Sequence, residues 1–256
     1  MTGKQFLAAT ITAAMMACAT VFGEGSAVAA EIKLIASPGV RAVLNELVPQ
    51  FEKTTGHKVV MDFAVIAVLK RRIDAGEAFD IVIPSPEVID ELIRQGKIAA
   101  DTRAAFGRTG VALGVRKGAP KPDISTPENL KRVLLEANVV GHSKEGQSGV
   151  NFLEALNRLG ILQEMRPKLR ALNDEEQVIA LQRGELDIST SGMGVIMEMP
   201  GADFLGGLPP ELQSYVKFAI GVGAASKELE AARALVRFLT SSAVAPTFKA
   251  KGMERD

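Results

Sequence analysis

Residues 31–96 read EIKLIASPGVRAVLNELVPQFEKTTGHKVVMDFAVIAVLKRRIDAGEAFDIVIPSPEVIDELIRQG, and this stretch decides the fold class. Short apolar runs alternate there with stretches in which apolar residues recur at helical spacing. The apolar runs are 32–36, 58–63 and 79–83. Each helical stretch ends at a glycine, the residue that most often closes a helix, namely Gly56, Gly76 and Gly96. Three consecutive β–α units predict an α/β fold with mostly parallel sheets.

A second α/β set follows residues 117–127, which are rich in Gly, Pro, Asp and Ser and are interpreted as a loop or a boundary. A predicted strand, 111–116, leads from the first set to this loop, and the predicted strands after the loop are 139–140, 186–190 and 216–222. The predicted helices are 130–137, 148–159, 175–183 and 228–240. Residues 200–210, rich in Gly and Pro, are predicted to form a loop.

The composition is that of an ordinary soluble protein and argues against several classes of partner. The 256 residues include 30 basic and 30 acidic side chains, so no net charge would attract nucleic acid or a membrane surface. Trp is absent and Tyr occurs once, which argues against a base-stacking platform. We therefore expect no nucleic-acid partner.

The N-terminus has the pattern of a cleaved signal peptide. Lys4 supplies a positive charge, residues 6–22 are almost wholly apolar or small, and the small residues 26–30 provide a cleavage site. We expect cleavage after Ala29 or Ala30 and a mature protein in the periplasm. The alternative is a membrane anchor, but an apolar stretch of about 17 residues is short for one, and nothing strongly basic follows it.

Five segments, in their order and spacing, resemble the periplasmic molybdate-binding proteins and their wider type II solute-binding relatives. They are Ile35-Ala36-Ser37-Pro38-Gly39, Leu69–Ile83, Asp90–Ile98, Val178–Ser191 and Ala234–Gly252. The resemblance covers nearly all of the mature chain. It implies an α/β, two-lobed type II periplasmic-binding-protein fold with a ligand cleft between the lobes.

The resemblance also implies a division of the chain. The leader is 1–30, the first lobe is 31–112 together with 221–256, and the second lobe is 113–220. Strands near Val111 and Val216 are expected to cross between the lobes, which would close on the ligand by hinge bending.

The candidate ligand site is predicted at the N-termini of helices. Helix N-termini carry free backbone N–H groups and a positive partial charge, so several of them between two lobes can hold an anion. Four segments place such N-termini beside the ends of predicted strands. The candidate ligand-binding residues in them are Ser37, Pro38, Gly39, Arg41, Ala64, Val65, Ile66, Ser148, Gly149, Ser191, Gly192 and Met193. No catalytic residue, metal ligand or cofactor is predicted.

Several of these candidates admit two roles. Ser37 is either a helix cap or a hydroxyl donor to the ligand, and the resemblance favours the donor because the family uses a serine at this turn. Arg41 would pair with a ligand carboxylate or be solvated. In the polar loop 141–147, His142 and Lys144 would add charge to the site or face solvent.

Two departures from the family pattern bear on the ligand. Molybdate-binding proteins normally place a serine at the turn that is Ala64-Val65-Ile66 here, and a tyrosine near the segment that ends at Met193. Each missing hydrogen bond to a buried charged ligand costs about 1.5–3 kcal/mol. Apolar walls at Val65, Ile66 and Met193 suit an organic molecule better than a bare tetrahedral ion. A small organic carboxylate is therefore favoured over a molybdate-type oxyanion.

Together these patterns predict the solute-binding protein of an ABC importer, which captures a small anion as a monomer and hands it to an inner-membrane permease. One alternative is a sensor that passes the solute to a signalling partner, and another is a small periplasmic enzyme. The acid–base candidates of an enzyme would be Asp80, Glu185 and Asp187. Because Asp80 and Asp187 precede apolar strands, where structural carboxylates are common, we predict a binding protein and not an enzyme.

Overall fold

The computed structural model describes residues 29–255, so the predicted signal peptide lies almost wholly outside the described residues. The strands are β1 (Glu31–Ala36), β2 (Lys58–Phe63), β3 (Ile81–Ile83), β4 (Ala104–Arg116), β5 (Val140–Ser143), β6 (Leu169–Leu172), β7 (Ile188–Gly192), β8 (Ala202–Gly207), β9 (Tyr215–Val222) and β10 (Met253–Glu254). The helices are α1 (Arg41–Thr55), α2 (Ile66–Asp74), α3 (Pro86–Arg94), α4 (Pro127–Glu136), α5 (Gln147–Arg158), α6 (Leu162–Met165), α7 (Asp174–Gln182), α8 (Met193–Met197), α9 (Leu229–Thr240) and α10 (Ala245–Ala250).

The first β–α unit shows why the sequence folds in this way. Helix α1 buries one apolar face, which includes Leu44, Leu47 and Phe51, against the sheet. Gly56 ends the helix in the left-handed conformation, at a φ of 76°, which a residue without a Cβ adopts at little cost. The burial of this face and the end of α1 at Gly56 together direct the following segment to the sheet, where it forms β2.

The sheet is mixed rather than mostly parallel. Its strand order is β2-β1-β3-β9-β4-β7-β5-β6, and β8 and β10 also pair with β4. Strand β1 is parallel to β2 and β3, and β5 is parallel to β6 and β7. Every pairing of β4 and β9 is antiparallel. The prediction of parallel sheets was therefore right within each β–α set and wrong where the two sets are joined.

The molecule has two lobes, and β4 and β9 pass between them. The N-terminal half of β4 pairs with β9, from Ala104 opposite Ile220 to Gly110 opposite Tyr215. Its C-terminal half pairs with β7 and β8. The strands expected near Val111 and Val216 thus lie on β4 and β9, while the boundaries after residue 112 and before residue 221 stay predictions.

Each lobe has its own apolar core. Strands β1 and β3 pack against α1 and α9 in the first lobe, where Leu34, Leu44 and Leu235 are fully buried. Strands β5 and β7 pack against α4 and α5 in the second lobe, where Val140 and Phe152 are fully buried. Because apolar burial dominates the stability of each core, the two lobes can keep their shape while the strands between them bend.

Residues 200–210 differ from the predicted loop. Residues Ala202–Gly207 form β8, which pairs with the C-terminal half of β4. Residue propensities do not predict a strand here, because two of the six residues are glycines and Gly is depleted in strands. Pairing with an already formed neighbour supplies the backbone hydrogen bonds that the local sequence does not predict.

No helix within residues 29–255 has the length and apolar character needed to span a bilayer.

Candidate functional site

A cleft of about 690 Å³ lies between the lobes. The first lobe lines it with Ser37, Pro38, Gly39, Val65, Ile66, Ala67, Lys70, Ser85, Pro86, Glu87 and Val88. The second lobe lines it with Ser143, Glu145, Gly146, Gln147, Ser148, Asn151, Asp174, Ser191, Gly192 and Val195. The crossing strands add Thr109, Tyr215, Val216, Lys217 and Phe218. A volume of this order suits a small organic ligand, whose pockets usually measure about 300–1,000 Å³.

Eight of the twelve predicted ligand-binding residues line this cleft. They are Ser37, Pro38, Gly39, Val65, Ile66, Ser148, Ser191 and Gly192. They come from four turns that are far apart in the chain, and the sheet brings these turns to one opening. Their role as ligand contacts stays a prediction.

The other four predicted residues lie outside the lining. Arg41 stacks on the ring of Phe63, with its guanidinium carbon 4.7 Å from the ring centroid, so it packs on its own lobe. Ala64 donates its N–H to the carbonyl of Ala36 and packs into the first lobe.

Gly149 and Met193 also serve packing rather than the cleft wall. A Cβ on Gly149 would lie 1.9 Å from the carbonyl oxygen of Ser143, so glycine allows α5 to approach the end of β5. The side chain of Met193 contacts the backbone at Gly207 and Gly252, on the side where the C-terminal segment packs. The apolar wall therefore includes Val65 and Ile66 but not Met193.

Gly39 has a steric role in the cleft that the sequence does not indicate. A Cβ at this position would lie 2.7 Å from the tip of the Phe218 ring. The glycine therefore lets the turn that begins at Ser37 pack directly on the crossing strand β9.

The turn at Ser37 presents a hydroxyl with no capping role. Ser37 precedes a short 3-10 helix, Pro38–Val40, and its side chain makes no capping hydrogen bond. Its N–H is used, because it donates to the carbonyl of Ile83 at 3.1 Å. The residue is only 8% exposed, so the hydroxyl faces the cleft with little access to bulk water.

Helices α2 and α5 begin at the cleft without a side-chain cap. The residues before them are Val65 and Gly146, and neither position supplies a capping hydrogen bond. The first N–H groups of a helix have no partner within the helix, so these two helices can offer backbone donors from opposite lobes. The cleft thus presents uncapped helix N-termini from both lobes.

Helices α3 and α7 also begin at the cleft, but each has acidic side chains in its first turn. The Ser85 hydroxyl and the backbone N–H of Glu87 hold the pKa of the Glu87 carboxyl below its usual range. Asn173 and Glu176 form a reciprocal capping box at the start of α7. Because these N-termini already carry a negative group, they are weaker sites for an external anion than α2 and α5.

Asp174 is the least expected side chain in the cleft. Burial raises the pKa of its carboxyl, and the charge of Arg41 and a hydrogen bond from the Ser191 hydroxyl offset only part of that rise. Ser191, which is 3% exposed, therefore lies beside this carboxyl in the second lobe.

The two lysines of the cleft differ in their pairing. The ammonium group of Lys70 lies 2.6 Å from Asp74 and 2.9 Å from Glu91, and these carboxylates raise its pKa. Lys217 is exposed and lies on the crossing strand β9. The charge of Lys70 is therefore already engaged by carboxylates of its own lobe.

Sequence reasoning missed the start of α3, although the signal was present. The run Ser85-Pro86 follows a buried strand and opens a helix, which is the pattern used to select the other four segments. Tyr215, which is not among the residues predicted from the sequence, also lines the cleft. The Tyr215 hydroxyl lies 3.4 Å from the Glu254 carboxylate, and Arg108 lies 4.4 Å from the ring centroid.

The loop 141–147 contributes Ser143, Glu145, Gly146 and Gln147 to the lining, but neither His142 nor Lys144. His142 is 8% exposed, packs near Phe152 and is not part of the lining. Burial lowers the pKa of the His142 imidazole, so it is neutral at pH 7 and brings no charge. Lys144 is exposed and outside the lining.

The carboxylates considered for catalysis from sequence have structural roles or face solvent. Asp80 accepts hydrogen bonds from the N–H of Lys33 at 2.7 Å and from the hydroxyl of Ser226 at 2.6 Å. Asp187 accepts from the backbone N–H groups of Asn138 and Val139, at 2.6 and 3.1 Å. Glu185 is exposed.

Comparisons with known proteins agree with this geometry. The chain is 29% identical over 231 residues to an aconitate isomerase from a Pseudomonas species, with 87% of each chain covered. It is 23% identical over 251 residues to the molybdate-binding protein ModA of Azotobacter vinelandii, with 96% of each covered. The solved periplasmic molybdate-binding protein of Azotobacter vinelandii superposes with a TM-score of 0.73 at 16% identity, which covers 87% of this chain and 98% of that one.

The solved structure shows the shared fold, with two lobes around a cleft. The profile of the family described as bacterial extracellular solute-binding protein matches residues 32–254, which is nearly the whole described chain. The chain belongs to the bacterial extracellular solute-binding proteins.

Proposed function

We propose that this chain is a periplasmic solute-binding protein that captures a small polycarboxylate in the interlobe cleft and delivers it to an inner-membrane ABC permease. The observation that carries the proposal is the pair of uncapped helix N-termini, α2 and α5, which face the cleft from opposite lobes. Amide donors on two sides suit a ligand with carboxylates at both ends. The proposal includes export by cleavage after Ala29 or Ala30 and action as a monomer.

The lining favours an organic acid over a bare oxyanion. The turn before α2 offers no hydroxyl, and the segment that ends at Met193 has no tyrosine. A tetrahedral oxyanion would lose both donors, at about 1.5–3 kcal/mol each. Val65, Ile66 and Val216 instead give apolar contacts for a carbon skeleton. The name of the Pseudomonas relative, aconitate isomerase, supports an unsaturated tricarboxylate as the first ligand to test.

A thermal-shift and calorimetry panel tests this proposal. It compares cis- and trans-aconitate, citrate, succinate, molybdate, tungstate and sulfate on the purified mature protein. We expect a tricarboxylate to raise Tm, because a ligand that binds only the folded state adds about 2.7 kcal/mol of stability at a hundred times its Kd. A shift with molybdate or tungstate, and none with the carboxylates, would make the organic-acid proposal wrong.

A second candidate function is isomerisation of the same ligand. It is favoured by the 29% identity to the Pseudomonas aconitate isomerase and by a cleft carboxyl, Asp174, whose pKa is raised. The reaction would remove a proton from the methylene carbon of aconitate and return one to the far end of the allylic system, which moves the double bond without an oxidant or cofactor.

Proton NMR in D₂O distinguishes catalysis from binding alone. Catalysis predicts that trans-aconitate is converted to the cis isomer with deuterium at carbon, at a rate proportional to protein concentration. Binding without catalysis predicts that calorimetry shows saturation while the spectrum of the ligand stays unchanged.

A further inference from the structure

A carboxylate in the wall of an anion-binding cleft needs an explanation. Asp174 lies in the first turn of α7 and lines the cleft. The helix does not need it as a cap, because the Asn173 side chain already accepts from the N–H of Glu176 and Glu176 accepts from the N–H of Asn173. Its position is therefore not explained by helix capping.

The surroundings hold this carboxyl at the cleft. The Ser191 side chain, at the end of β7, lies beside it in the second lobe. The charge of Arg41, on α1 of the first lobe, acts on it from the opposite side. Asp174 thus lies where the two lobes meet, and a ligand that fills the cleft lies against it.

We propose that Asp174 accepts a hydrogen bond from a proton that the ligand carries, so that the cleft selects an incompletely ionised polycarboxylic acid rather than the bare anion. This inference rests on the proposed function, because it concerns the protonation state of the ligand of that same cleft. A fully ionised carboxylate next to Asp174 is repelled, whereas a carboxylic acid donates its O–H to the Asp174 oxygen. Two carboxyl groups that share a site hold one proton between them.

The other charges around Asp174 do not remove this preference. Glu175, its neighbour on α7, disfavours a second negative charge. The remaining charged side chains of the cleft wall are Lys70, Glu87, Glu145 and Lys217. Lys70 is already paired with two carboxylates, which leaves Arg41, whose charge acts on Asp174, and the exposed Lys217 as counter-charges. Burial raises the pKa of Asp174, which favours a proton between this carboxyl and the ligand.

The test compares Kd for trans-aconitate of the wild-type protein and of Asp174→Asn, by calorimetry between about pH 5.5 and about pH 8. One linked proton changes an affinity by up to about tenfold per pH unit. The ratio of the wild-type Kd to the Asp174→Asn Kd should therefore rise with pH by up to about tenfold per unit. Use of the ratio cancels the titration of the free ligand.

A second readout counts protons directly. Calorimetry in two buffers of different ionisation enthalpy gives the number of protons taken up on binding. The wild-type protein should take up more than Asp174→Asn at neutral pH. The control is Glu185→Gln, which removes an exposed acid outside the cleft lining and should keep the wild-type slope and proton count.

The melting temperature of Asp174→Asn without ligand shows whether this variant folds. Because the pKa of Asp174 is raised in the folded state, its ionisation costs stability that increases as pH rises from the unfolded-state pKa through the folded-state pKa. Asp174→Asn should therefore melt no lower than the wild type at neutral pH without ligand. If it does not fold, Ser191→Ala replaces it. Because Ser191 lowers the pKa of Asp174, its removal should move the pH dependence of Kd to higher pH.

The outcomes separate this inference from the proposed function. If trans-aconitate and every other carboxylate leave the wild-type protein unchanged, the proposed function is wrong. If the wild type binds and the Kd ratio and proton count stay constant with pH, only the role of Asp174 is wrong. A rising ratio with a lower proton count in Asp174→Asn supports it.

Discussion

The Ser37 hydroxyl faces the cleft without a capping bond, which leaves it available to a ligand. We expect Ser37→Ala to weaken ligand binding by about tenfold to a hundredfold, the equivalent of about 1.5–3 kcal/mol for a hydrogen bond to a charged group. The free energy of unfolding should change little. Calorimetry with the tricarboxylate that the panel selects, together with urea denaturation, measures both quantities.

Thr126 provides the matched control for this prediction. Its side chain caps α4, accepting from the N–H of Asn129 at 3.2 Å, and lies outside the cleft lining. Thr126→Ala should cost about 1 kcal/mol of stability and leave the affinity unchanged. If Ser37→Ala instead loses stability and keeps its affinity, Ser37 acts on the fold and not on the ligand.

Individual residues differ in how far the sequence could predict them. Asp80 and Asp187 were identified as structural carboxylates because a carboxylate before a buried strand can accept backbone N–H groups nearby. Asp174 could not be identified, since an acidic first turn is the ordinary complement of a helix dipole. Its partners, Arg41 and Ser191, reach it only through the packing of the two lobes.

At the scale of elements, the position of α5 depends on one glycine. A Cβ at Gly149 would lie 1.9 Å from the Ser143 carbonyl oxygen, so Gly149→Ala must push the start of α5 away from β5. We expect a loss of about 1–3 kcal/mol in the free energy of unfolding, as for other overpacked sites. Ligand affinity should fall as well, because the backbone donors near Ser148 move with the helix.

Val150 is the control for that element. It follows Gly149 on the same helix, but it is 59% exposed. Val150→Ala should change stability by no more than about 0.5 kcal/mol and leave binding unchanged. Equal effects of the two substitutions on affinity would contradict the view that close contact between α5 and β5 positions the donors.

The sequence predicted elements well where local signals and packing agree. The alternation of apolar runs, helical spacing and terminal glycines located β1 to β3 and α1 to α3 within a few residues. It failed for β8 and for the N-terminal half of β4, where residues 104–110 include two glycines and two alanines. These segments are strands because neighbouring strands supply their hydrogen bonds, and a single sequence does not record that pairing.

At the scale of the whole molecule, three chain segments meet at the hinge. The C-terminal strand β10 pairs with β4 at Thr109 and Arg108, beside the pairing of β4 with β9. The guanidinium of Arg108 also lies 2.7 Å from the Glu254 carboxylate. The connection between the lobes is therefore a short antiparallel sheet rather than a pair of free linkers.

This connection and the distribution of donors predict that ligand closes the lobes. A ligand held by α2 from one lobe and α5 from the other makes its full set of contacts only when the lobes approach, and a ligand shifts an equilibrium by its differential affinity for the two states. Small-angle X-ray scattering should show a smaller radius of gyration with saturating tricarboxylate. At the same saturation Ser37→Ala should close to the same extent, because it weakens the affinity and leaves the donors of both helices in place. An unchanged radius of gyration, with calorimetry showing full occupancy, would mean that the ligand engages one lobe alone or enters lobes that are already closed.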